Sequence, residues 1–348
     1  MFQIKQIRVS FIIFGLVFLL LVLVEISVKY IFGFNSIIKG NVACKIYDDK
    51  KNFSYYKPNC ELFHKHWEQK NIIHYKINNF GRRDGNNNVG KKLIAFFGDS
   101  FTFGAMVPID ENYNYKSLEK FKKLSYGAHN YGVAGEQFDN ILAKLITYDL
   151  SKYNIVVYGL TPNDLFDIVD GTISISKNKI AHNEIKSEKF FSFNKIKNFL
   201  LSTTTTKVLL HYLMSIDSIY YKTYFSRKPY SGYLKSPLSS DFEEALSIAL
   251  GKLSKLDPGL KNKLIIQLLP QRAEVIAARL GKYNSDFNKK FLEICSKNEL
   301  VCGISDVFKL SKLKESHFPI DGHLNIEGNK LVAQDLIKLL DKKITNVK

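Results

Sequence analysis

The chain has 348 residues, of which 45% are hydrophobic, and this length and composition predict one large globular domain with additional segments. The formal net charge at pH 7 is +17, which favours anionic partners such as phospholipid headgroups, acidic glycans or nucleic acid. The lysines are scattered, and the sequence has no zinc-ligand spacing, no basic-region helix and no RNA-binding aromatic signature. We therefore expect no nucleic-acid partner.

An apolar segment lies near the N-terminus. Residues 9–24 contain no charged side chain, and the longer stretch 7–26 would form a helix about 30 Å long, enough to span a bilayer. Since no small-x-small cleavage site follows the apolar run, we favour an uncleaved transmembrane anchor within residues 1–33 over a cleaved signal peptide. Lysines lie on both sides of the segment, so the positive-inside rule does not fix its orientation.

The polar segment that follows, residues 34–90, is predicted to be an irregular lead-in. It contains Cys44 and Cys60, and a disulfide between them would fit an oxidising compartment. The alternative is that these cysteines, together with Cys295 and Cys302, are free thiols. Cys295 lies in a helical pattern, which also suits an ordinary core residue.

Apolar runs and helical patterns alternate through most of the remaining chain. Runs that predict buried strands lie at residues 93–97, within 128–136, within 154–164, at 263–270 and at 300–304. Patterns that predict helices lie at residues 111–123, 241–256, 285–297 and 329–340. Strands that alternate with helices predict a doubly wound parallel sheet, which we place in a domain over residues 91–345.

Residues 165–240 interrupt this alternation and are predicted to be a helical insertion. Within them, residues 194–225 have the pattern of one or two amphipathic helices, broken near residues 203–206. Two interpretations stay open: a helical layer packed on the domain, or a lid that contacts a substrate or a membrane.

Polar residues follow the first and third predicted strands, at the edge where parallel sheets bind ligands. Gly98-Asp99-Ser100 follows the first strand, and a serine there can act as a nucleophile when a base activates it. The tripeptide alone is equally typical of a plain turn. Asn163 and Asp164 follow the third strand, where they would also suit a helix N-cap.

The loop before the last predicted helix contains residues suited to acid–base chemistry. His323 is a candidate general base near neutral pH, and Asp321 could orient it and stabilise its imidazolium form. His317 is a rival candidate for the base. Because the loop follows the last predicted strand, we expect it at the same edge of the sheet as Ser100.

Four segments, taken in order, resemble the motifs of the SGNH (GDSL-type) hydrolases. They are Gly98-Asp99-Ser100, Gly135, Gly159-x-x-x-Asn163-Asp164 and Asp321-x-His323. The resemblance covers roughly residues 90–340 and implies a flavodoxin-like, three-layer α/β/α fold with a five-stranded parallel sheet. It also implies an ester-cleaving serine site.

The resemblance implies a role for each matched residue. Ser100 matches the family nucleophile, His323 the base and Asp321 the residue that orients the base. The backbone N–H groups of Ser100 and Gly135 and the side chain of Asn163 match the oxyanion hole, whose donors stabilise the charge of the tetrahedral intermediate. This chemistry needs no metal ion and no other cofactor.

Two spacings depart from the common family pattern. The family's usual Gly-x-Asn-Asp is tighter than the spacing here, and its usual Asp-x-x-His is longer than Asp321-x-His323. The shorter C-terminal spacing is similar to that of membrane-associated and periplasmic branches that act on cell-surface polysaccharides, some of which transfer acetyl groups.

The sequence therefore predicts a single-pass, membrane-anchored serine esterase with its catalytic domain outside the cytoplasm, in the periplasm. The expected substrate is an acylated, above all acetylated, carbohydrate, with a lipid ester as the next choice. Two alternatives stay open: an O-acyltransferase that passes the acyl group to a sugar hydroxyl, and a catalytically inactive glycan-binding or assembly subunit.

Overall fold

The computed structural model describes the following residues: 15–17, 19–27, 37–40, 44–66, 68, 71–85, 90–169, 204–226 and 230–346. The central part of the predicted insertion, residues 170–203, lies outside the described residues. So do residues 1–14, 18 and 28–33 of the predicted anchor and its flanks, and residues 34–36 of the lead-in segment.

Within these residues the chain forms strands and helices in the order that the sequence predicts for the main domain. The strands are β1 (Ile37–Gly40), β2 (Lys45–Asp48), β3 (Phe53–Tyr56), β4 (Glu61–Lys65), β5 (Ile73–Lys76), β6 (Lys92–Gly98), β7 (Tyr126–Asn130), β8 (Ile155–Leu160), β9 (Leu264–Leu268) and β10 (Val301–Ile304). The α-helices are Ser100–Phe103, Tyr113–Leu118, Phe138–Thr147, Phe166–Val169, Thr204–Ser215, Asp217–Phe225, Tyr230–Tyr233, Ser240–Ser254, Pro258–Lys261, Arg272–Arg279, Asp286–Lys297, Val307–Ser311 and Ile326–Asn346. Short 3₁₀ turns lie at Ile109–Glu111, Glu119–Leu124 and Pro162–Leu165.

The main sheet has five strands in the order β10-β9-β8-β6-β7. All of its neighbouring strands are parallel. Counted along the chain within this sheet, the order is second-first-third-fourth-fifth, which is the flavodoxin-like arrangement. The predicted α/β class with a five-stranded parallel sheet is therefore confirmed. The strand order reverses between β6 and β8, and Gly98 pairs with Gly159 at the carboxyl ends of these two strands.

Side chains on the strands alternate between two apolar layers. Ala95 and Phe97 pack in one cluster with helices Phe138–Thr147 and Ser240–Ser254. Ile94 and Phe96 pack in the other cluster with helix Ile326–Asn346 and its neighbours. Strands β6, β8 and β9 are buried on both faces over most of their length, so each is a nearly continuous apolar run. With helices on both sides of the sheet, the fold has three layers.

The predicted irregular character of residues 34–90 is wrong, because five strands lie in this segment. Strands β1, β4 and β5 form a three-stranded antiparallel sheet, and β2 and β3 form a hairpin. The predicted Cys44–Cys60 disulfide is present. A third apolar cluster contains Cys44, Tyr56 and Phe103 and so joins this segment to the helix that begins at Ser100.

One further expectation needs correction, because Cys295 and Cys302 are also paired with each other and the alternative of four free thiols is wrong. In the insertion, helices Thr204–Ser215 and Asp217–Phe225 are separated at Ile216. The predicted break near residues 203–206 lies at the edge of the described residues, which resume at Thr204, and it stays a prediction. Tyr220, from the second of these helices, is buried in the first apolar cluster, as expected for a helical layer.

The N-terminal residues 15–17 and 19–27 are helical and carry exposed apolar side chains such as Leu20 and Leu21. Nowhere in the described parts of the chain is there a helix with both the length and the apolarity needed to cross a bilayer.

Candidate active site

Ser100 begins a short helix directly after β6, at the point where the strand order of the sheet reverses. Gly98 has φ +153°, and a Cβ at this position would lie 2.8 Å from the Gly159 carbonyl oxygen, so the turn requires glycine. The Asp99 side chain caps the helix by accepting a hydrogen bond from the Phe101 N–H at 2.8 Å. The turn therefore holds the Ser100 hydroxyl at the carboxyl edge of the sheet.

The structure brings Ser100, His323 and Asp321 together. Ser100 Oγ lies 2.6 Å from His323 Nε2. His323 Nδ1 hydrogen-bonds to Asp321 Oδ1. The same oxygen accepts a hydrogen bond from the His323 backbone N–H at 3.3 Å. The short Asp-x-His spacing therefore still allows the carboxylate to reach the far side of the imidazole. These contacts have the order of a Ser-His-Asp triad.

The loop that carries Asp321 and His323 is closed on itself. The Phe318 N–H donates to the His323 carbonyl at 2.8 Å, and the Gly322 N–H donates to the Phe318 carbonyl at 2.9 Å. Gly322 has φ +85°, a conformation that glycine adopts at little cost. The tight turn at Gly322 lets two residues so close in sequence face each other.

The electrostatics of the pair suit base catalysis. Burial lowers the pKa of His323, but the hydrogen bond to Asp321 and the charges of Asp321 and Asp99 outweigh burial and raise this pKa above 6.5. Burial raises the pKa of Asp321, but the hydrogen bonds and charge of His323 outweigh it, and the net shift is downward. Asp321 is thus ionised near neutral pH and stabilises a protonated His323.

Two of the predicted oxyanion donors are backbone N–H groups. The backbone N–H groups of Ser100 and Gly135 make no hydrogen bond within the described part of the chain. Gly135 has φ +74° and is exposed, so a substrate can approach its backbone without meeting a side chain on that residue. Both N–H groups can therefore donate to a bound ligand.

Asn163 reaches the nucleophile turn in spite of the three residues that separate it from Gly159. The 3₁₀ turn Pro162–Leu165 folds the chain back after β8. Asn163 Nδ2 donates to Asp99 Oδ2 at 3.3 Å, and its Oδ1 accepts from Gln271 Nε2. These two contacts fix the orientation of the amide and leave one of its N–H bonds for an oxyanion.

His317 is not placed to act as the base. It is 2% exposed, its Nδ1 lies 2.9 Å from Ser316 Oγ and its Nε2 lies 3.3 Å from the Pro270 carbonyl oxygen. Burial lowers the pKa of this imidazole to about 3. His317 therefore tethers the loop that carries Asp321 and His323, called the catalytic loop below, to the chain that follows β9. The alternative in which His317 is the base is wrong.

Sequence reasoning missed two charged residues of the lead-in segment that contact the site. Lys45 Nζ donates to the Ala134 carbonyl at 2.6 Å, and Ala134 is joined through its peptide bond to Gly135. Glu68 accepts hydrogen bonds from the backbone of the catalytic loop. No local sequence signal marks Glu68, because the loop that it contacts lies 253 residues away in the chain.

No group of three or more metal-ligating side chains is present in the described residues. The carboxylates near Ser100 are instead satisfied by protein donors. The Asp99 carboxylate, for example, accepts from Phe101, Thr161 and Asn163.

Several solved structures are similar to this chain at low sequence identity. No family model matches the chain, and no curated protein matches it in sequence. Among solved structures, a member of the lipolytic G-D-S-L family from Veillonella parvula has a TM-score of 0.37 and 12% identity over 71% of this chain and 97% of its own.

Two esterases are also similar. A two-domain esterase active on acetylated mannans, solved with mannopentaose, has a TM-score of 0.40 and 16% identity over 73% of this chain and 50% of its own. A variant of Axe2, an acetyl xylan esterase from Geobacillus stearothermophilus, has a TM-score of 0.38 and 12% identity over 72% of this chain and 94% of its own. TM-scores of 0.37 to 0.40 do not establish a family, and the assignment of this chain to a class of enzyme rests on its own strand order and side-chain geometry.

Proposed function

We propose that the protein is an SGNH-type serine ester hydrolase that cleaves acyl esters through a covalent acyl-enzyme. The observation that carries this proposal is the 2.6 Å contact between Ser100 Oγ and His323 Nε2, with Asp321 on the other imidazole nitrogen. A serine hydroxyl is a weak nucleophile, and a hydrogen-bonded imidazole is the partner that activates it.

The first half of the reaction acylates Ser100. Ser100 Oγ attacks the ester carbonyl carbon while His323 Nε2 accepts the hydroxyl proton. The former carbonyl oxygen becomes negatively charged and receives hydrogen bonds from the N–H groups of Ser100 and Gly135 and from Asn163 Nδ2. Protonated His323 then donates its proton to the leaving alcohol oxygen as the carbon–oxygen bond breaks.

The second half releases the acid. Water attacks the acyl-enzyme carbonyl, His323 accepts a proton from that water, and the same three donors stabilise the second tetrahedral intermediate. His323 then returns the proton to Ser100 Oγ as the acid leaves. Asp321 stays ionised throughout and stabilises the imidazolium in both halves.

We further propose that the substrate is an acetylated carbohydrate and that the catalytic domain lies outside the cytoplasm. The Asp-x-His spacing, similar to that of polysaccharide-modifying branches, supports this substrate class. The two disulfides, Cys44–Cys60 and Cys295–Cys302, support an oxidising compartment. The apolar run of residues 9–24 supports membrane attachment at the N-terminus.

The experiment measures acetate released from acetylated xylan and p-nitrophenol released from p-nitrophenyl acetate by the detergent-solubilised full chain. We expect turnover by the wild type, and its loss in Ser100→Ala and His323→Ala. Equal activity in all three proteins would refute the proposal. Addition of excess xylo-oligosaccharide acceptor separates hydrolysis from transfer, since a transferase would form acetylated acceptor in place of free acetate.

A further inference from the structure

The carboxylate of Glu68 lies against the loop that carries Asp321 and His323, although it is far away in the sequence. Its two oxygens accept one backbone hydrogen bond each. Oε1 accepts from the Ile320 N–H at 2.9 Å, and Oε2 accepts from the Asp321 N–H at 2.9 Å. The Glu68 side chain is 1% exposed.

These two bonds fix the part of the loop that aims Asp321. The loop's own hydrogen bonds, between Phe318 and His323 and between Phe318 and Gly322, close the turn but leave the N–H groups of Ile320 and Asp321 unused. One carboxylate that holds two successive N–H groups restricts both peptide planes, and charge-assisted bonds of this kind are the stronger ones. The Asp321 side chain starts from the second of those planes.

Two imidazoles flank Glu68, one from its own segment and one from the insertion. His211 Nδ1, on helix Thr204–Ser215, lies 3.2 Å from Oε1, and His66 Nδ1 lies 3.6 Å from Oε2. Burial raises the pKa of Glu68, while the two N–H bonds and the nearby His211 oppose that rise. The carboxylate thus joins the lead-in segment, the insertion and the catalytic loop at one point.

A second buried side chain holds the same loop. Arg272 Nη1 donates to the Pro319 carbonyl at 2.6 Å, and its Nη2 donates to the Met214 carbonyl at 2.9 Å. The loop is therefore held by the Arg272 guanidinium at Pro319 and by the Glu68 carboxylate at Ile320 and Asp321. Both contacts come from outside the loop. Arg272 also contacts Met214 and Glu68 also contacts His211, and both of these partners lie on helix Thr204–Ser215.

We propose that Glu68 is a positioning residue for the catalytic triad. It holds the Ile320 and Asp321 peptides so that the Asp321 carboxylate meets His323 Nδ1, and it makes the lead-in segment part of the catalytic machinery. This inference rests on the proposed esterase function. Glu68 contacts the loop backbone, whereas the partner of Ser100 Oγ is His323 Nε2, so Glu68 acts through Asp321 and does not act as a base itself.

The experiment compares Glu68→Ala and Glu68→Gln with wild type in the full chain. Glu61→Gln is the matched control, since Glu61 is a half-exposed carboxylate on β4 that pairs with His74 at 3.2 Å. The concentration of reactive sites is titrated with a fluorophosphonate, so kcat is measured per active site. The proton resonance of His323 Nδ1–H reports the hydrogen bond to Asp321 independently of turnover.

We expect kcat of Glu68→Ala on p-nitrophenyl acetate to fall by about tenfold to a hundredfold, since misplacement of a catalytic group by about 1 Å costs on this scale. KM should change by less than about twofold, and the His323 resonance should move upfield or vanish. Glu68→Gln keeps the volume but offers only one acceptor oxygen, so we expect an intermediate loss of kcat. Glu61→Gln should match the wild type.

The outcomes separate the two proposals. An unchanged kcat and an unchanged His323 resonance in Glu68→Ala, or in Glu68→Gln where the alanine variant does not fold, would overturn the positioning role. A lower melting temperature with unchanged kcat per titrated site would also overturn it, because it would mean a purely structural role. A wild type without esterase activity would refute the proposed function, and the His323 resonance would still decide whether Glu68 orients Asp321.

Discussion

The carboxylates of Asp99 and Asp164 are joined by one hydroxyl group. Thr161 Oγ1 lies 3.2 Å from Asp99 Oδ2 and 3.0 Å from Asp164 Oδ1, and all three side chains are buried. A hydroxyl has one proton and can donate to only one of the two carboxylates. The other contact therefore requires a proton on a carboxyl group.

The surrounding donors assign that proton to Asp164. Asp99 Oδ2, the oxygen that faces Thr161, also accepts from Asn163 Nδ2, and a proton on Oδ2 would weaken that bond because a carboxylic hydroxyl is a poorer acceptor than a carboxylate oxygen. Asp164 Oδ2 accepts from Tyr158 and from the Thr161 N–H, but its Oδ1 meets only the Thr161 hydroxyl. Burial and the neighbouring Asp99 charge raise the pKa of Asp164 well above 3.8.

The first prediction is that asparagine can replace Asp164, but not Asp99, with little loss of activity or stability. An amide at residue 164 reproduces a neutral carboxylic acid, with one acceptor and a donor toward Thr161, so kcat of Asp164→Asn should stay within about threefold of wild type. An amide in Asp99→Asn faces donors and should cost about 1–3 kcal/mol of stability. It should also lower kcat by at least about tenfold, because Ser100 and Asn163 lose their alignment.

Chemical denaturation of the same variants tests the proton directly. The native state holds the Asp164 proton more tightly than the unfolded chain, so the free energy of unfolding falls as pH rises above the unfolded pKa of about 3.9. Asp164→Asn lacks this contribution. We expect the variant to gain stability relative to wild type between pH 4 and pH 7, and a pH-independent difference would contradict the assignment.

The second prediction concerns the acidic limb of the pH profile. The pKa of His323 lies above 6.5, and below that pKa the imidazole is protonated and cannot act as a base. We therefore expect kcat/KM to fall with a single ionisation as the pH drops through the pKa of His323. Asp321→Asn removes the group that raises this pKa. We expect its limb to move to lower pH and its kcat to fall by roughly 10³–10⁴. A limb that stays in place in this variant would show that another group titrates.

The third prediction is that Lys45 strengthens the oxyanion hole. In a trans peptide the carbonyl and the N–H point in opposite directions, so the ammonium on the Ala134 oxygen polarises the Gly135 N–H toward a substrate. Loss of a whole donor costs about 10²–10³ in kcat, and a weakened donor should cost less. We expect Lys45→Met to lower kcat by about threefold to tenfold with KM unchanged.

Two variants control for the Lys45 effect. Lys45→Arg keeps the charge and should retain most of the activity, while Lys50→Met removes an exposed lysine of the same hairpin and should behave like wild type. Equal rates for Lys45→Met and Lys50→Met would show that the contact with Ala134 has no catalytic effect.

The fourth prediction concerns the disulfides. Cys44 and Cys60 are 16 residues apart, and closure of a loop of this size stabilises a fold by about 3 kcal/mol in the chain-entropy treatment. We expect Cys44→Ala with Cys60→Ala to destabilise the protein by about 2–4 kcal/mol and to lower kcat, because Lys45 and Glu68 come from the same segment. Cys295→Ala with Cys302→Ala should lower stability and leave kcat per titrated site unchanged.

The sequence predicted the parts of this molecule that depend on local pattern. The buried strands β6, β8 and β9 are continuous apolar runs, and their polar ends located Ser100 and Asn163 without any knowledge of packing. The triad was also predictable, because Asp321 and His323 lie in one loop after the last strand.

The rest depends on contacts between distant segments. Glu68 and Asp321 are 253 residues apart, and nothing near Glu68 in the chain indicates which loop it will contact. The strands of residues 34–90 are four or five residues long and mix polar with apolar side chains, so they lack the continuous apolar pattern of β6, β8 and β9. His317 is excluded as the base by its burial and by its two hydrogen-bond partners, and the spacing of residues in the sequence reveals neither.

Covalent labelling of Ser100 tests the central claim most directly. The full chain is treated with a fluorophosphonate, esterase activity is followed on p-nitrophenyl acetate, and the labelled peptide is identified by mass spectrometry. We predict one label per chain, on Ser100, with activity lost in proportion to labelling, and no label in Ser100→Ala or His323→Ala. Full esterase activity in Ser100→Ala, or inactivation by a label on a different residue, would contradict the account.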